Sequence, residues 1–279
     1  IPGTLIHREG TVVQAPHIPG LNNFPIKAEL AKLLSCKITV DNDANCITLG
    51  EFHKGAGFGS KNLCLLALGT GVGGGIIANG KLVRGASGSA GELGHIVVEK
   101  DGPLCRCGNR GCLETFCSSF GFGHILEKQL MAQFQVGGAN GGPPPRAVYE
   151  HGGGDSRQDP PETDGIQKQE LKSSLSKKNS ETYTDVAPYF AQAKTGNPLA
   201  INAFKMLGTY LGVGLSTLVN IFNPEVIVIT GGLSKAWEFF MPAALVELKS
   251  RAFQAPLRDV QIVRGKLGDD AGIIGTTFL

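Results

Sequence analysis

Apolar residues follow two different spacings along this chain, and together the spacings predict alternating strands and helices. Continuous apolar runs at Leu63–Leu68 and Val226–Thr230 are typical of buried strands. A helical spacing predicts one long helix over Pro198–Phe222, with Asn197 as its N-cap and Pro198 at its first position. Its apolar stripe, which we expect to pack in the core, consists of Phe204, Leu207, Leu211, Leu215, Leu218 and Phe222.

The N-terminal part alternates in a similar way and ends in a polar cluster. A short strand from Thr11 is predicted to lead through a loop rich in Pro, Gly and Asn into a helix over Ile26–Leu34. A second strand is predicted over Lys37–Val40. The run Asp41–Asn45 follows it, and a helix is predicted to continue from that run through Phe52. Because α/β proteins bind ligands at the carboxyl ends of strands, the polar run is a candidate ligand site.

Two glycine-rich turns follow the apolar strands. The first, Gly69–Gly75, is predicted to connect the early strand to a strand over Ile76–Ala78, and Asn79–Gly80 then predicts a hairpin into Lys81–Val83. The second, Gly231–Gly232, is predicted to open a helix. Such turns can present several N–H groups to a phosphate, although glycine-rich hairpins without that function are common.

A cluster of cysteines and one histidine lies between Glu92 and Glu114 and indicates a metal site. Its candidate ligands are His95, Cys105, Cys107 and Cys112. Three thiolates and an imidazole complete a tetrahedral zinc site without an open position, so a structural role is expected. Disulfides are the alternative, but the seven cysteines are an odd number, which favours a reducing compartment. The remaining cysteines lie in apolar runs and are Cys36, Cys46, Cys64 and Cys117.

Charge and hydropathy argue against some classes of protein. The 279 residues include 26 Lys or Arg and 24 Asp or Glu, a formal charge of +2 that gives no general reason to expect nucleic acid or membrane. No apolar run reaches the ~18 residues of a membrane span, and Ile1–Gly3 does not begin a signal peptide, so a cytoplasmic protein is expected. A stretch over 138–181 is rich in Gly and Pro and then in Lys, Ser and Gln, which predicts an exposed, mostly disordered insertion.

Five motifs occur in an order that resembles the ROK family of sugar kinases and sugar-responsive repressors. They are Asn42-Asp43-Ala44-Asn45, Gly69-Thr-Gly-Val-Gly-Gly-Gly75, Glu92-Leu-Gly-His95, Cys105-x-Cys107-Gly-x-x-Gly-Cys112-x-Glu114 and Thr230-Gly231-Gly232. The resemblance covers nearly the whole chain apart from the insertion. Together with Gly20–Pro25, the Asp-Asn-Asp-Ala-Asn run looks most similar to bacterial glucokinases, with N-acetylhexosamine kinases close behind. The resemblance implies an α/β, actin-like ATPase (ribonuclease H-like) fold whose two lobes hold sugar and ATP between them.

The resemblance also implies a role for each motif. Asp43 matches the family's catalytic base. The expected sugar contacts are Asn42, Glu92, His95 and Glu114, and the expected zinc ligands are His95, Cys105, Cys107 and Cys112. The phosphate loop matches Gly69, Thr70, Gly71 and Gly73, and the adenosine loop matches Gly231 and Gly232. ATP, Mg²⁺ and a structural Zn²⁺ are therefore the expected cofactors.

The residue types suit these roles on chemical grounds. A sugar hydroxyl is a poor nucleophile, and a carboxylate such as Asp43 within hydrogen-bonding reach can accept its proton as phosphoryl transfer proceeds. The alternative for Asp43 is a helix cap, a common use of Asp where a strand leads into a helix. Each carboxylate of Glu92 and Glu114 can accept hydrogen bonds from vicinal sugar hydroxyls.

The N-terminal part departs from the family pattern. Family kinases begin with a strand ending in Asp-x-Gly-Gly-Thr, a first phosphate loop that does not occur here, and Pro2–Thr4 resembles a later loop of the small lobe. A small lobe that lacks several strands is therefore expected, with low stability or loss of activity as its consequence. The expected domains are a partial small lobe over 1–61 with the catalytic Asp, and a large lobe over 62–137 and 182–279 that is interrupted by the 138–181 insertion.

Three functions are compatible with these patterns. The favoured hypothesis is ATP-dependent phosphorylation of a hexose at a primary hydroxyl, with glucose preferred to N-acetylmannosamine or N-acetylglucosamine. The second is a non-catalytic, sugar-sensing ROK regulator, or an inactive truncated kinase. A zinc ribbon that binds nucleic acid is disfavoured, since it usually brings a second pair of cysteines and a basic surface. The expected partners are a sugar and ATP, with neither membrane nor nucleic acid, and the family implies a homodimer.

Overall fold

The computed structural model describes residues 1–15, 18, 20–136 and 184–279, and these residues contain two β-sheets. The strands are β1 (Thr4–Ile6), β2 (Thr11–Gln14), β3 (Leu63–Leu68), β4 (Val72–Ala78), β5 (Lys81–Leu82), β6 (Val226–Thr230) and β7 (Gln261–Arg264). β1 and β2 form an antiparallel pair. The other sheet has the order β5-β4-β3-β6-β7, in which β3, β6 and β7 are parallel and β4 is antiparallel to both its neighbours. The predicted insertion over 138–181 lies outside the described residues.

Helices cover the larger sheet and connect its strands. They are α1 (Ile26–Leu33), α2 (Asp43–Lys54), α3 (Glu114–Cys117), α4 (Ser119–Val136), α5 (Ala187–Lys194), α6 (Pro198–Phe222), α7 (Trp237–Arg251), α8 (Gln254–Asp259) and α9 (Ala271–Thr276). The cap predicted for α6 is present, because the Asn197 side chain accepts hydrogen bonds from the N–H groups of Leu199 and Ala200. Within the described ranges, no helix is long and apolar enough to span a membrane.

Both faces of the larger sheet are buried, which explains the continuous apolar run of β3. Successive side chains of a strand point to opposite faces. Leu63 and Leu65 pack with Leu49 of α2, while the alternate residues of β3 join a larger core with α3, α4, α6 and α7. Five members of the α6 stripe are buried as predicted. Phe222 is the exception at 38% exposed, because it is the last residue of the helix.

The strand predicted over Lys37–Val40 is wrong. These residues pair with no strand in the described part of the chain, although Val40 is buried in the small core beneath β1 and β2. The end of the segment is held in another way, since the Val40 carbonyl lies 3.1 Å from His7 Nδ1 and the carbonyl of the next residue, Asp41, accepts from the amine of Ile1 at 3.0 Å. The apolar pattern of the segment therefore reflects burial without strand pairing.

The glycine-rich turn is shorter than predicted, because β4 begins at Val72 and includes three of the glycines. These glycines allow close packing on both faces of the strand. A Cβ on Gly75 would lie 2.0 Å from Thr48 Oγ1 of α2, and one on Gly74 would lie 2.4 Å from the Gly91 carbonyl oxygen. Helix α2 therefore packs directly on the β4 backbone, which places its N-terminus beside the turn.

A buried carboxylate holds the other end of α2. Glu51 is fully buried, and its two oxygens accept hydrogen bonds from the N–H groups of Ala56, Lys266 and Leu267 at 2.7, 3.1 and 2.9 Å. The last two donors follow β7, so this contact joins segments more than 200 positions apart. The division of the chain at residues 61 and 62 stays a prediction.

Candidate active site

A cavity of about 710 Å³ lies between the N-terminus of α2, the β3–β4 turn, the β1–β2 pair and the segment from 88 to 114. The predicted site residues that line it are Asn42, Asp43, Gly69, Thr70, Gly71, Gly73, Glu92, His95, Cys107 and Glu114. The structure thus brings the proposed base and the proposed metal-binding histidine to one cavity. Gly231 and Gly232 do not line it.

Asn42, and not Asp43, caps α2. The Asn42 Oδ1 accepts from the N–H groups of Ala44 and Asn45 at 2.8 and 3.2 Å, and its Nδ2 donates to the Gly3 carbonyl at 2.9 Å. Asp43 occupies the first turn with its side chain exposed to the cavity, and its Oδ1 also accepts from the Ala44 N–H. Because the cap is supplied by its neighbour, the Asp43 carboxylate is accessible to a ligand.

Asp41 anchors the approach to α2 and was not assigned a role by the sequence. It is 3% exposed, and its Oδ2 accepts from Nε and Nη2 of Arg84 at 2.9 and 2.8 Å. Its Oδ1 accepts from the Asn42 N–H and from Asn45 Nδ2, both at 2.8 Å. The polar run in the sequence contains Asp41, but nothing near Arg84 indicates this pairing across 43 positions.

The four candidate zinc ligands lie together. All four ligand atoms are within 4.8 Å of one another, with Nδ1 of His95 3.5 Å from Sγ of Cys105 and Sγ of Cys107 3.7 Å from Sγ of Cys112. In a tetrahedron with Zn–S bonds of about 2.3 Å and a Zn–N bond of about 2.0 Å, ligand atoms are separated by roughly 3.5–3.8 Å. These positions are therefore compatible with a structural zinc ion.

Backbone contacts hold the segment that carries these ligands. Val97 pairs with Cys112 and Leu104 pairs with Arg110 in isolated antiparallel bridges. Gly111 lies in the left-handed region at φ 67°, and a Cβ there would lie only 1.6 Å from the backbone oxygen of residue 99. Without a metal ion, burial raises the pKa of the Cys112 thiol to about 11, so a cation is needed to stabilise the thiolate at neutral pH.

His95 presents its second ring nitrogen to the cavity wall. Because Nδ1 faces Cys105, Nε2 is the nitrogen that lies 3.9 Å from Oε2 of Glu92. Burial raises the pKa of Glu92, and the charges of Glu114 and Asp43 raise it further against the opposing influence of His95. Three carboxylates therefore share one cavity, and a ligand rich in hydrogen-bond donors is suited to it.

Glu114 connects the metal-binding segment to the β3–β4 turn. Its Oε2 accepts from the Val72 N–H at 2.9 Å, and its Oε1 lies 3.7 Å from Sγ of Cys105. A Cβ on Gly71 would lie 2.5 Å from the Glu114 carboxylate, so a glycine is needed for this approach. One Glu114 oxygen is thus already bonded before any ligand binds.

The turn itself presents unpaired amides. Ser119 bonds the Gly69 carbonyl with both its N–H and its hydroxyl, at 2.9 and 3.1 Å. The N–H groups of Thr70 and Gly71 donate to no group in the described part of the chain, and both residues line the cavity. Free, adjacent backbone donors of this kind fit an anion such as a phosphate.

The second glycine turn lies beside the first. β6 runs parallel to β3, so both turns leave the same edge of the sheet. Gly231 has φ 88°, and a Cβ on it would lie 2.4 Å from the Leu68 carbonyl oxygen, which only glycine permits. Gly232 has open space around its Cα and begins the 3₁₀ turn that leads into α7. These glycines border the site from outside the cavity.

Comparison with known proteins identifies the family of this chain. The sequence model of the ROK family matches residues 1–279. A glucokinase from Halalkalibacterium halodurans is 34% identical over 279 residues, which is all of this chain and 73% of that protein. Among solved structures, a ROK family glucokinase from Streptomyces griseus in complex with glucose and AMPPNP is 27% identical, with a TM-score of 0.72 over 98% of this chain and 77% of that one.

A regulator is similar to the same degree. The structure of a ROK family transcriptional regulator, a homologue of the E. coli MLC protein, has a TM-score of 0.73 and 27% identity over 98% of this chain and 59% of its own. The kinase neighbours have the actin-like ATPase fold, and the mixed α/β architecture agrees with it, so the predicted fold class is confirmed. The chain belongs to the ROK family.

Proposed function

We propose that this protein is a sugar kinase that transfers a phosphoryl group from ATP to a primary hydroxyl of a hexose, with glucose as the preferred substrate. One observation carries the proposal: the exposed carboxylate of Asp43 shares a cavity with the unpaired amides of the β3–β4 turn and with a wall of polar side chains. The similarity to glucokinases supports the choice of sugar.

Asp43 acts in this proposal as the general base. Its carboxylate accepts the proton of the attacking hydroxyl, while the amides of Thr70 and Gly71 stabilise charge on the phosphate chain. Gly232, which has open space around its Cα, leaves room for the adenosine part of the nucleotide beside the turn, and Gly231 with its positive φ allows the turn to pass close to Leu68. Mg²⁺ enters with ATP and neutralises part of the charge on its phosphates.

The sugar binds against Glu92, His95 and Glu114. Cys105, Cys107, Cys112 and Nδ1 of His95 would hold a structural zinc ion, which would fix the tautomer and direction of the imidazole and leave Nε2 for the sugar. Asn42 retains one amide N–H for a ligand after its bonds to α2 and to Gly3.

A coupled assay of ADP release with glucose, N-acetylglucosamine and N-acetylmannosamine tests the proposal. Asp43→Asn is expected to lower kcat by about 10²–10⁴-fold with glucose affinity changed little in calorimetry, because only proton transfer is lost. Asp269→Asn, at an exposed position in a short turn far along the chain, is the matched control. Full activity of Asp43→Asn would rule out this residue as the base.

A sugar-binding regulator without catalytic activity is the second candidate. It is supported by the similarity to a ROK transcriptional regulator and by the absence of the Gly231–Gly232 turn from the cavity lining. Calorimetry separates the candidates, since a regulator of this kind binds the sugar with no nucleotide affinity and no turnover. A homodimer in solution and a cytoplasmic location stay predictions, of which light scattering tests the first.

A further inference from the structure

Arg106 is a cation in the wall of the cavity to which no role has been assigned. It lies between Cys105 and Cys107, and among the described residues that line the cavity it is the only Lys or Arg. The carboxylates in the same lining are Asp43, Glu92 and Glu114. A nucleoside triphosphate adds several negative charges to such a site, so the single cation has a large influence on how phosphates bind there.

The surroundings of Arg106 place it beside the β3–β4 turn. A second, very small cavity is bordered by Arg106 together with Thr70, Gly71 and Glu114. The guanidinium carbon lies 5.2 Å from the ring centre of Phe120, a cation–π contact that holds the side chain against the start of α4. Arg106 therefore borders the same small cavity as Thr70 and Gly71, with its guanidinium over the Phe120 ring that also lines that cavity.

Among the residues that the structure describes, no carboxylate competes for Arg106. Within the described ranges it forms no ion pair, whereas Arg84 is bonded to the buried Asp41. Arg110, in the same metal-binding segment, points its guanidinium toward the Gly102 carbonyl at 3.5 Å. A planar guanidinium with free donors is well suited to phosphate oxygens.

We propose that Arg106 binds the phosphate chain of the nucleotide next to the amides of Thr70 and Gly71, which rests on the proposed kinase function. The two proposed zinc ligands on either side of it fix its backbone, so the metal site positions this phosphate contact as well as the sugar contact of His95. The zinc site thereby links the sugar half of the cavity to its phosphate half.

Calorimetry with inorganic tripolyphosphate and with ATP tests this role. Arg106→Gln is expected to weaken both affinities by about 10–100-fold, the usual range for losing a charge-assisted hydrogen bond, and Arg106→Lys by less, because the charge remains but the fork is lost. Arg110→Gln, in the same segment, is expected to change them less than about threefold. Glucose affinity and zinc content by mass spectrometry are expected to match the wild type in all three variants.

Several results would overturn the proposal. Wild-type affinity of Arg106→Gln for tripolyphosphate would do so, as would an equal loss in Arg110→Gln, or a wild-type protein that binds neither tripolyphosphate nor ATP. A change confined to glucose affinity would make Arg106 a sugar contact instead. A wild-type protein that binds tripolyphosphate through Arg106 but phosphorylates no sugar would contradict the proposed function while supporting this inference.

Discussion

The two walls of the cavity are built in different ways. The metal wall, residues 92–114, is held by many short-range contacts, since its isolated bridges and its four candidate ligands all lie within that one segment, and the bond from the Val72 N–H to Glu114 attaches the segment to β4. The helix wall, the N-terminal end of α2 with Asp41 and Asn42, is held by contacts with Gly3 and Arg84, which are distant in sequence. The conformation of the metal wall can therefore depend on a bound ion, whereas that of the helix wall depends on the packing of the whole fold.

This difference separates two kinds of sensitivity. Loss of the ion is expected to disorder residues 95–112 more than the larger core of α6, α7 and the sheet, because the four candidate ligands lie in that stretch, whereas Leu93 and Leu113 on either side of it pack in the core. Loss of a contact in the helix wall is expected to lower the stability of the entire chain, because α2 packs directly on β4. The following predictions test this contrast.

The largest effect is expected from loss of the metal ion. Structural zinc sites contribute roughly 10–16 kcal/mol of apparent binding free energy to folding, so Cys112→Ser should abolish zinc binding and expose residues 95–114 to proteolysis. Sugar affinity should be lost with it, while far-ultraviolet circular dichroism changes little. Cys36→Ser, at an exposed cysteine, is the control. Normal glucose binding by a zinc-free variant would contradict the prediction that the metal site positions the sugar contacts.

A smaller effect, spread over the whole chain, is expected from Arg84→Met. The substitution removes the guanidinium paired with the buried Asp41 and leaves His7, whose Nδ1 lies 3.6 Å from Asp41 Oδ2, as the other basic side chain beside it. Breaking a fully buried pair costs about 3–5 kcal/mol, and we expect roughly 2–4 kcal/mol here because the Arg84 side chain is 29% exposed. Urea unfolding measures the loss. Arg258→Met, which breaks a highly exposed pair with Asp259, should change the unfolding free energy far less than Arg84→Met does. If the two variants lost the same unfolding free energy, the buried Asp41 carboxylate would not need the Arg84 guanidinium for its stability.

A comparison of two helix caps separates stability from function. Asn42→Ala and Asn197→Ala each remove a side-chain acceptor for two N–H groups, and each is expected to cost about 1 kcal/mol of unfolding free energy. Only Asn42→Ala should also lower kcat, because the first turn of α2 carries Asp43. Urea unfolding and the coupled assay measure both quantities. If both substitutions lowered kcat equally, the lower kcat would result from reduced stability and not from a displaced Asp43.

The same contrast explains how much the sequence could predict. The four candidate zinc ligands of the metal wall lie together as their spacing predicts, because that spacing is a local signal, and their metal stays a prediction. The buried strands and the apolar stripe of α6 could also be predicted, because buried positions in strands and helices are occupied by apolar residues at a regular spacing. Asp41, Arg84 and Glu51 were missed, because their partners lie far away in sequence. The strand prediction at Lys37–Val40 was wrong for a related reason. Alternating apolar residues indicate which side chains are buried, but they do not indicate whether a neighbouring strand is present to pair with them.

The smallest effect is expected outside both walls and provides a reference for them. Glu225, just before β6, is exposed, and its Oε2 accepts from the N–H groups of Lys61 and Asn62, both at 2.7 Å. These bonds lower the pKa of the Glu225 carboxyl. A lowered pKa stabilises the fold above the ordinary value of 4.5, and this contribution is lost as the pH falls through the lowered pKa.

Glu225→Gln should therefore reduce the unfolding free energy near pH 7 by less than about 1 kcal/mol, since solvent screens the exposed group and Gln can still accept one of the bonds. The difference from wild type should shrink as the pH falls below about 4.5, where the carboxyl of the unfolded chain is protonated, and should vanish below the lowered pKa, where the folded protein is protonated too. Urea unfolding at several pH values measures it, with Glu9→Gln as a second exposed variant. If the loss of unfolding free energy stayed constant down to about pH 3, the hydrogen bonds to the backbone, and not the charge of Glu225, would stabilise the start of β6. The contrast between ionic and packing contacts would then apply only to the cavity walls.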